Sequence, residues 1–246
     1  MGVPYKTTPH FVAYLDLLAG KRLICEAEDE SLNSLHYLLQ AAIDSGAHSA
    51  NAIFPKCKIK VFSDNIIIAC RLTGQPERDL PRVRATLTLV SAIQIVGMEM
   101  YHYLFRGGAT VGSLFIDSVM VWGSALVRAT DLESGIAVYP RVVADRSLLE
   151  LLAQDPDTVD VNEKYCLSVD TDGKYYLDYL SAYLRLPNSM ERSAFIGENE
   201  AYFRAQLENE TGVVREKLQW QTAYLKRYAQ LAREVSEKPS GYESQP

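Results

Sequence analysis

The stretch KIKVFSDNIIIAC, from Lys58 to Cys70, permits few structures. Ile59 and Val61 alternate with lysines up to a polar Ser63-Asp64-Asn65, after which Ile66, Ile67 and Ile68 run without a break. That pattern predicts two short strands joined by a tight turn, with Asp64 at the hairpin tip. A second stretch, HFVAYLDLLAGKR (His10 to Arg22), is an apolar strand that ends on Asp16 and passes at once into a turn of small residues. If the two strands are neighbours in one sheet, both carboxylates project at the same edge. Hard divalent cations take oxygen ligands, and two ions about 3.5–4 Å apart clamp a phosphoryl group, so Asp16 and Asp64 are candidate metal ligands. Either acid alone reads equally well as a turn former. It is the pair, in matching contexts, that points to metal.

Around these strands the chain alternates between element types. Apolar residues at helical spacing predict an amphipathic helix over Glu30–Ile43, ended by Gly46, then a linker over 47–56 closing on Pro55. GQPERDLP (74–81) reads as a turn and Arg82–Leu104 as a long helix buried on more than one face. Arg106–Asp117 and Val119–Trp122 read as antiparallel strands, followed by a helix capped by Ser124 and running to Glu133. A strand over Tyr139–Ala144 and a short helix over Arg146–Ala153 come next. KYCLSVDTDGKYYLDYL alternates around Asp172-Gly173, a strong hairpin signal. Beyond Pro187, charged helical segments over Glu191–Glu210 and Val213–Glu237 flank Thr211-Gly212. The expected organisation is a disordered lead-in over 1–9, a domain over 10–187, a helical extension over 188–237 and a disordered tail over 238–246. The expected fold class is α+β, an antiparallel-dominated sheet with helices on one face.

Composition narrows the function classes. The 246 residues suit one large domain or a domain with an appendage, and 48% hydrophobic content is ordinary for a packed core. A formal net charge of −6 argues against broad nucleic-acid or anionic-membrane binding, which needs a basic face. No signal-type segment is seen and no apolar run approaches the roughly 20 residues of a bilayer span, so a cytoplasmic location is expected. Cys25, Cys57, Cys70 and Cys166 form no Cys-x-x-Cys pair, which predicts reduced thiols rather than zinc or a disulfide framework.

Four motifs carry a resemblance: YLDLLA, FSDNI, RGGATVG, and LESGIAVYPRVVAD after a Trp-Gly at Trp122-Gly123. Together they resemble the class III nucleotidyl cyclases, and most closely the bacterial pyrimidine cyclases of the Pycsar anti-phage system. The resemblance covers most of residues 10–145. It implies the cyclase homology domain with its ferredoxin-like core, and a homodimer whose sites are shared between chains. It also implies two Mn²⁺ or Mg²⁺ ions per site, held by Asp16, Asp64 and the Leu17 carbonyl. One ion would activate the ribose 3′-hydroxyl against the α-phosphate while the other holds the departing pyrophosphate. Amides of Leu18, Ala19 and Gly20 would cradle the triphosphate. The substrate would be UTP or CTP, UTP being favoured, and the product a signal for a separate cyclic-nucleotide-responsive effector.

The departures are informative. Ala19 stands where the family has its turn glycine, with Gly20 one place later, as if the turn were shifted. Val127 and Asp131 replace the asparagine and arginine that adenylyl cyclases carry on the helix after Trp-Gly, which leaves Arg128 and Arg141 as candidate transition-state arginines. Met120 replaces the adenine-reading acid, whereas Lys60 matches the base-reading lysine; that lysine equally reads as a surface charge beside Lys56 and Lys58. Arg106 reads as a substrate ligand or as a helix C-terminal cation. The rival reading is a catalytically lapsed nucleotide-binding or dimerisation module. A polymerase-like palm would share two acids on adjacent strands, but the acidic composition offers no groove for a template.

Overall fold

A strand that is apolar on both faces belongs inside a sheet, covered on both sides. In the computed structural model, which describes residues 4–49, 57–157, 160–184 and 189–237, the stretch after His10 is the centre of β1 (Thr8–Leu17). Phe11, Ala13 and Leu15 are buried on one face and Val12 on the other. A turn at Leu18-Ala19 leads into α1 (Gly20–Glu26), too short to leave a periodic signature, and then α2 (Glu28–Ser49). α2 runs through Gly46 where a stop was expected, since one interior glycine costs a helix only about 1 kcal/mol. β2 (Cys57–Phe62) and β3 (Asn65–Arg71) form the expected hairpin around Ser63-Asp64.

The long helix, α3 (Pro76–Tyr101), starts before the expected Arg82. Pro76 occupies a first-turn position where its fixed φ suits the helix, and the buried Asp79 carboxylate accepts the amides of Thr73 and Gly74, each at 2.8 Å, anchoring the entering chain. Pro81 is held inside the helix as a result. Contrary to expectation, α3 is long and apolar enough to cross a bilayer by length and composition. Its apolar side chains Val83, Leu87, Val90 and Ile93 are nevertheless buried in the core against the sheet.

β4 (Phe105–Ile116) and β5 (Val121–Trp122) pair antiparallel as expected. The following α4 (Ser124–Gly135) is capped by Gly123 rather than Ser124. Gly123 has φ 148°, and a Cβ there would lie 2.2 Å from the Ser113 carbonyl oxygen, so the two backbones pass too closely for any side chain. β6 (Val142–Ala144), α5 (Arg146–Leu152), α6 (Val161–Tyr165), β7 (Leu167–Val169) and β8 (Tyr175–Leu177) complete the unit. The sheet order is β2-β3-β1-β4-β6-β8-β7, with β5 on β4. Among the described residues β4–β6 is the one parallel pair, so the fold is α+β with an antiparallel-dominated sheet. α2, α3 and α5 share the core on the Phe11–Leu15 face, while Ala125 and Ala129 of α4 meet Val12, Ile67 and Ala69.

The chain divides into two compact units between Tyr179 and Leu180. α7 (Tyr179–Leu184) begins at that division, and the second unit continues as a hairpin of α8 (Ser189–Leu207) and α9 (Gly212–Glu237). The Leu180 amide donates to the Tyr224 hydroxyl at 3.0 Å, and Tyr183 packs edge-on against Phe195. Pro187, the tail over 238–246, Pro55 and the first three residues lie outside the described residues. Of the expected lead-in, Thr8 and Pro9 already belong to β1.

Candidate active site

Asp16, the penultimate residue of β1, lies directly opposite Asn65, the first residue of β3, and the Leu17 amide donates to the Asp64 carbonyl at 3.0 Å. Facing residues of an antiparallel pair are about 4.5–5.5 Å apart at Cα, so Asp16 and Asp64 share one patch at the end of the sheet. Asp64 is held from two sides. The Tyr14 hydroxyl donates to Asn65 Oδ1 at 2.5 Å, and Asn65 Nδ2 donates to Asp64 Oδ1 at 3.0 Å. On the other side a Cβ on Gly20 would lie 2.3 Å from Asp64 Cβ, so the aspartate rests on bare α1 backbone. Burial, together with the negative charges of Glu133, Asp16 and Asp64, pushes the Tyr14 phenol above its usual pKa and keeps it a donor.

In the turn after Asp16, Ala19 itself adopts the left-handed conformation, φ 64°, that a glycine would take without strain. Gly20 is needed for space instead. The Leu18 amide donates to the Leu104 carbonyl at 2.9 Å, which leaves Ala19 and Gly20 as the phosphate-cradling candidates of that turn.

Arg106 sits on β4 directly opposite Asp16, so it is not a helix C-terminal cation. Its Nε donates to Asp16 Oδ2 at 3.0 Å and its Nη2 reaches Glu133 Oε1 of α4 at 2.6 Å. Lys60 donates to the Ser118 carbonyl at 2.9 Å and Lys58 to that of Ile116 at 2.6 Å, both on the β2 face turned toward the β4–β5 turn. Met120 lies in that same turn, whose Asp117 carboxylate accepts the Met120 and Val119 amides and is held below its usual pKa by them. Beside it an open cleft of about 760 Å³ is lined by Tyr5, Phe115, Asp117, Val119, Met120 and Trp122 among others.

The two candidate arginines lie elsewhere. Arg128, half-exposed, donates to Asp145 at 3.2 Å, and Asp145 also accepts from Thr110, four residues along β4 from Arg106 or about 13 Å. Arg141 is completely buried and its guanidinium is committed to Asp170 and Asp172 in the β7–β8 turn, holding the Asp172 carboxyl below its usual pKa.

Among the described residues no three His, Cys, Asp or Glu side chains cluster as a metal site. The oxygen-only donor set of Asp16 and Asp64 suits a hard divalent cation that completes its shell from backbone and substrate oxygens. Tyr14, Asn65 and Glu133 escaped the sequence reading. Strand alternation puts Tyr14 on the face of Asp16, but Asn65 had a cheaper explanation in turn geometry, and no local pattern tells where the Glu133 side chain goes.

No family model matches the sequence, and no curated protein matches it. The chain is similar to the solved adenylyl cyclase CyaB from P. aeruginosa, with 14% identity over 61% of this chain and 83% of that one, at a TM-score of 0.46. It is also similar to a class III adenylyl cyclase-like ATP-binding protein from Pseudomonas aeruginosa, with 11% identity over 72% of this chain and 40% of that one, at a TM-score of 0.48. A third similarity is to a guanylate cyclase domain from Catenaria anguillulae in complex with GTP, with 12% identity over 71% of this chain and 98% of that one, at a TM-score of 0.44.

Proposed function

We propose that the protein is a nucleotidyl cyclase that converts a pyrimidine ribonucleoside triphosphate, UTP in preference to CTP, into the 3′,5′-cyclic monophosphate and pyrophosphate. The observation that carries this reading is the placement of Asp16 and Asp64 at one sheet end, Asp16 in register with Asn65 and Asp64 held by that residue's amide. The reaction is an internal displacement: the 3′-oxygen bonds to the α-phosphorus, the bond to the bridging oxygen breaks, and pyrophosphate leaves. Asp16, Asp64 and the Leu17 carbonyl would hold two Mn²⁺ or Mg²⁺ ions, which supply charge neutralisation and activation of the 3′-hydroxyl. Arg106 keeps the Asp16 carboxylate oriented and places a cation beside it. Tyr14 and Asn65 do the same for Asp64.

Base choice falls to Lys60, which donates to the Ser118 carbonyl in the β4–β5 turn, and to Met120 of the same turn. A methionine thioether is only a weak acceptor for the exocyclic amine of adenine, while the Lys60 ammonium donates to carbonyl acceptors, of which uracil offers two. Exposed Val119, Met120 and Trp122 support a second copy of the chain packing here, completing each site across a two-fold axis. Of the candidate arginines, only half-exposed Arg128 is free enough of the core to serve a site across that axis. By sequence resemblance the cyclic product is a second messenger in anti-phage defence, made in the cytoplasm and read by a separate effector.

One observation favours a different reading. Val127 and Asp131 are exposed on α4 and present neither an amide nor a guanidinium, as in a lapsed module that still binds nucleotide. Incubating the purified chain with each of the four ribonucleoside triphosphates and Mn²⁺, then resolving products by mass, separates the two. Cyclic UMP with pyrophosphate is expected. Binding without turnover of any of the four would establish the lapsed reading.

A further inference from the structure

The hairpin that carries Asp64 also carries two of the four cysteines, and its turn sets them face to face. With Ser63-Asp64 as a two-residue turn, Phe62 and Asn65 are the closing hydrogen-bonded pair, and bonded and non-bonded pairs alternate from there. Counting back along the register, Cys57 and Cys70 oppose each other at a non-hydrogen-bonded position. Such a pair brings its Cα atoms to about 4.5 Å, within the roughly 4.4–6.8 Å that a disulfide spans.

Both side chains point to the α3 side of the sheet, where Cys57 Sγ lies 3.2 Å from Thr86 Oγ1. Cys70 is completely buried, whereas Cys57 is half-buried on the edge strand β2. The facing Cys70 thiol, against the opposing effect of burial and with help from Thr86, draws the Cys57 thiol down to about 7. The same contact pushes Cys70 up. Cys57 is therefore the more acidic and the more accessible of the two thiols, and Cys70 is the one that solvent does not reach.

We propose that Cys57 and Cys70 are a redox-active dithiol, oxidised by a peroxide to an intramolecular disulfide and reopened by a thiol reductant. The Cys57 thiolate attacks one peroxide oxygen, the O–O bond breaks, and hydroxide leaves, giving a Cys57 sulfenic acid. The Cys70 sulfur then attacks the Cys57 sulfur, and the sulfenic oxygen departs as water with the Cys70 proton. In sum two thiols lose two electrons and two protons, and hydrogen peroxide becomes two waters. The disulfide ties the edge strand to β3 at the end of the hairpin remote from Asp64, independently of what the Asp64 end does.

The test uses the full chain carrying Cys25→Ser, which removes an exposed thiol able to link chains. The protein is treated with hydrogen peroxide, free thiols are alkylated, and the tryptic peptides are mapped. The expected result is a covalent link between the peptides of Cys57 and Cys70, a chain mass lower by two hydrogens, and reversal by dithiothreitol. Adding Cys70→Ser should stop the reaction at a Cys57 sulfenic acid that dimedone traps. The proposal is overturned if the paired protein accumulates Cys57 sulfenic or sulfinic acid without the link, or if peroxide consumes Cys166 while both hairpin thiols still alkylate. Because the link is read in a protein whose hairpin is unaltered, the result does not depend on how well Cys70→Ser folds.

Discussion

Asp16 and Asp64 look alike in the sequence, yet their surroundings differ, so their removal should differ too. Asp16 is ion-paired with half-buried Arg106 at 3.0 Å; Asp16→Ala leaves that guanidinium to Glu133 and should cost about 1–2 kcal/mol of stability. Asp64 sits at a turn with a side-chain amide as its partner, and Asp64→Ala should cost under about 0.5 kcal/mol. Urea denaturation checks the ranking, and both variants should lose cyclase activity. An Asp64→Ala protein that keeps turnover defeats the metal reading. The adjoining turn offers a paired test. Ala19→Gly should stabilise by roughly 0.5–1 kcal/mol because φ 64° strains alanine but not glycine. Gly20→Ala should destabilise and abolish turnover together, since the new Cβ would sit 2.3 Å from Asp64 Cβ. Equal melting temperatures for the two variants would show that the turn is not strained as described.

At the scale of elements, the early start of α3 depends on one side chain. Asp79 is buried and accepts from the Thr73 amide and hydroxyl and the Gly74 amide. Asp79→Ala orphans those donors and should cost about 2–3 kcal/mol, with hydrogen exchange rising first at the Pro76 end of the helix. A loss under about 0.5 kcal/mol would mean the prolines suffice to start it. β1 carries a pH dependence of its own. Burial lowers the pKa of His10 below 6.5, opposed by the Thr8 carbonyl and assisted by the charges of Arg71 and Lys58. The unfolded chain then binds a proton that the folded one resists, so this contribution to stability is complete above 6.5 and declines as pH falls from there toward the folded value. Urea midpoints measured from about pH 7 to about pH 5 should fall, and His10→Gln should flatten that slope. A slope unchanged by the substitution would assign it to other groups.

For the whole molecule, the proposed dimer makes a quantitative claim. Suppose Asp64→Ala and Lys60→Ala are each inactive, and the metal acids and base-reading lysine of one site come from different chains. On mixing with free exchange, about half the dimers are mixed, and each holds one site free of both changes. Activity should return to about a quarter of wild type. If subunits exchange, as shown by mass-tagged chains, and nothing returns, then Lys60 serves its own chain's acids or the surface around Trp122 is not the dimer contact.

What was legible in the sequence is what local chemistry controls. The Ser63-Asp64 and Asp172-Gly173 hairpins, the apolar β1, the helix after Trp122-Gly123 and the helical pair at the C-terminal end follow from side-chain period and turn residues acting over a few positions. The opposition of Cys57 and Cys70 emerges only with the register of β2 on β3, which the turn length sets. Helix ends were less legible: Asp79 reaching back to Thr73 and the Ser113 carbonyl crowding Gly123 are contacts that no propensity contains. The candidate site was half visible. Asp16 and Asp64 announce themselves as acids at strand ends, but Arg106 opposite Asp16 depends on β4 pairing with β1 across ninety positions of chain. Glu133 depends further on α4 lying back over β4, and the burial of Arg141 on a turn that closes beyond Asp170. Those pairings are settled by which apolar faces bury one another, a balance struck over the whole sheet, and only the tertiary structure decides it.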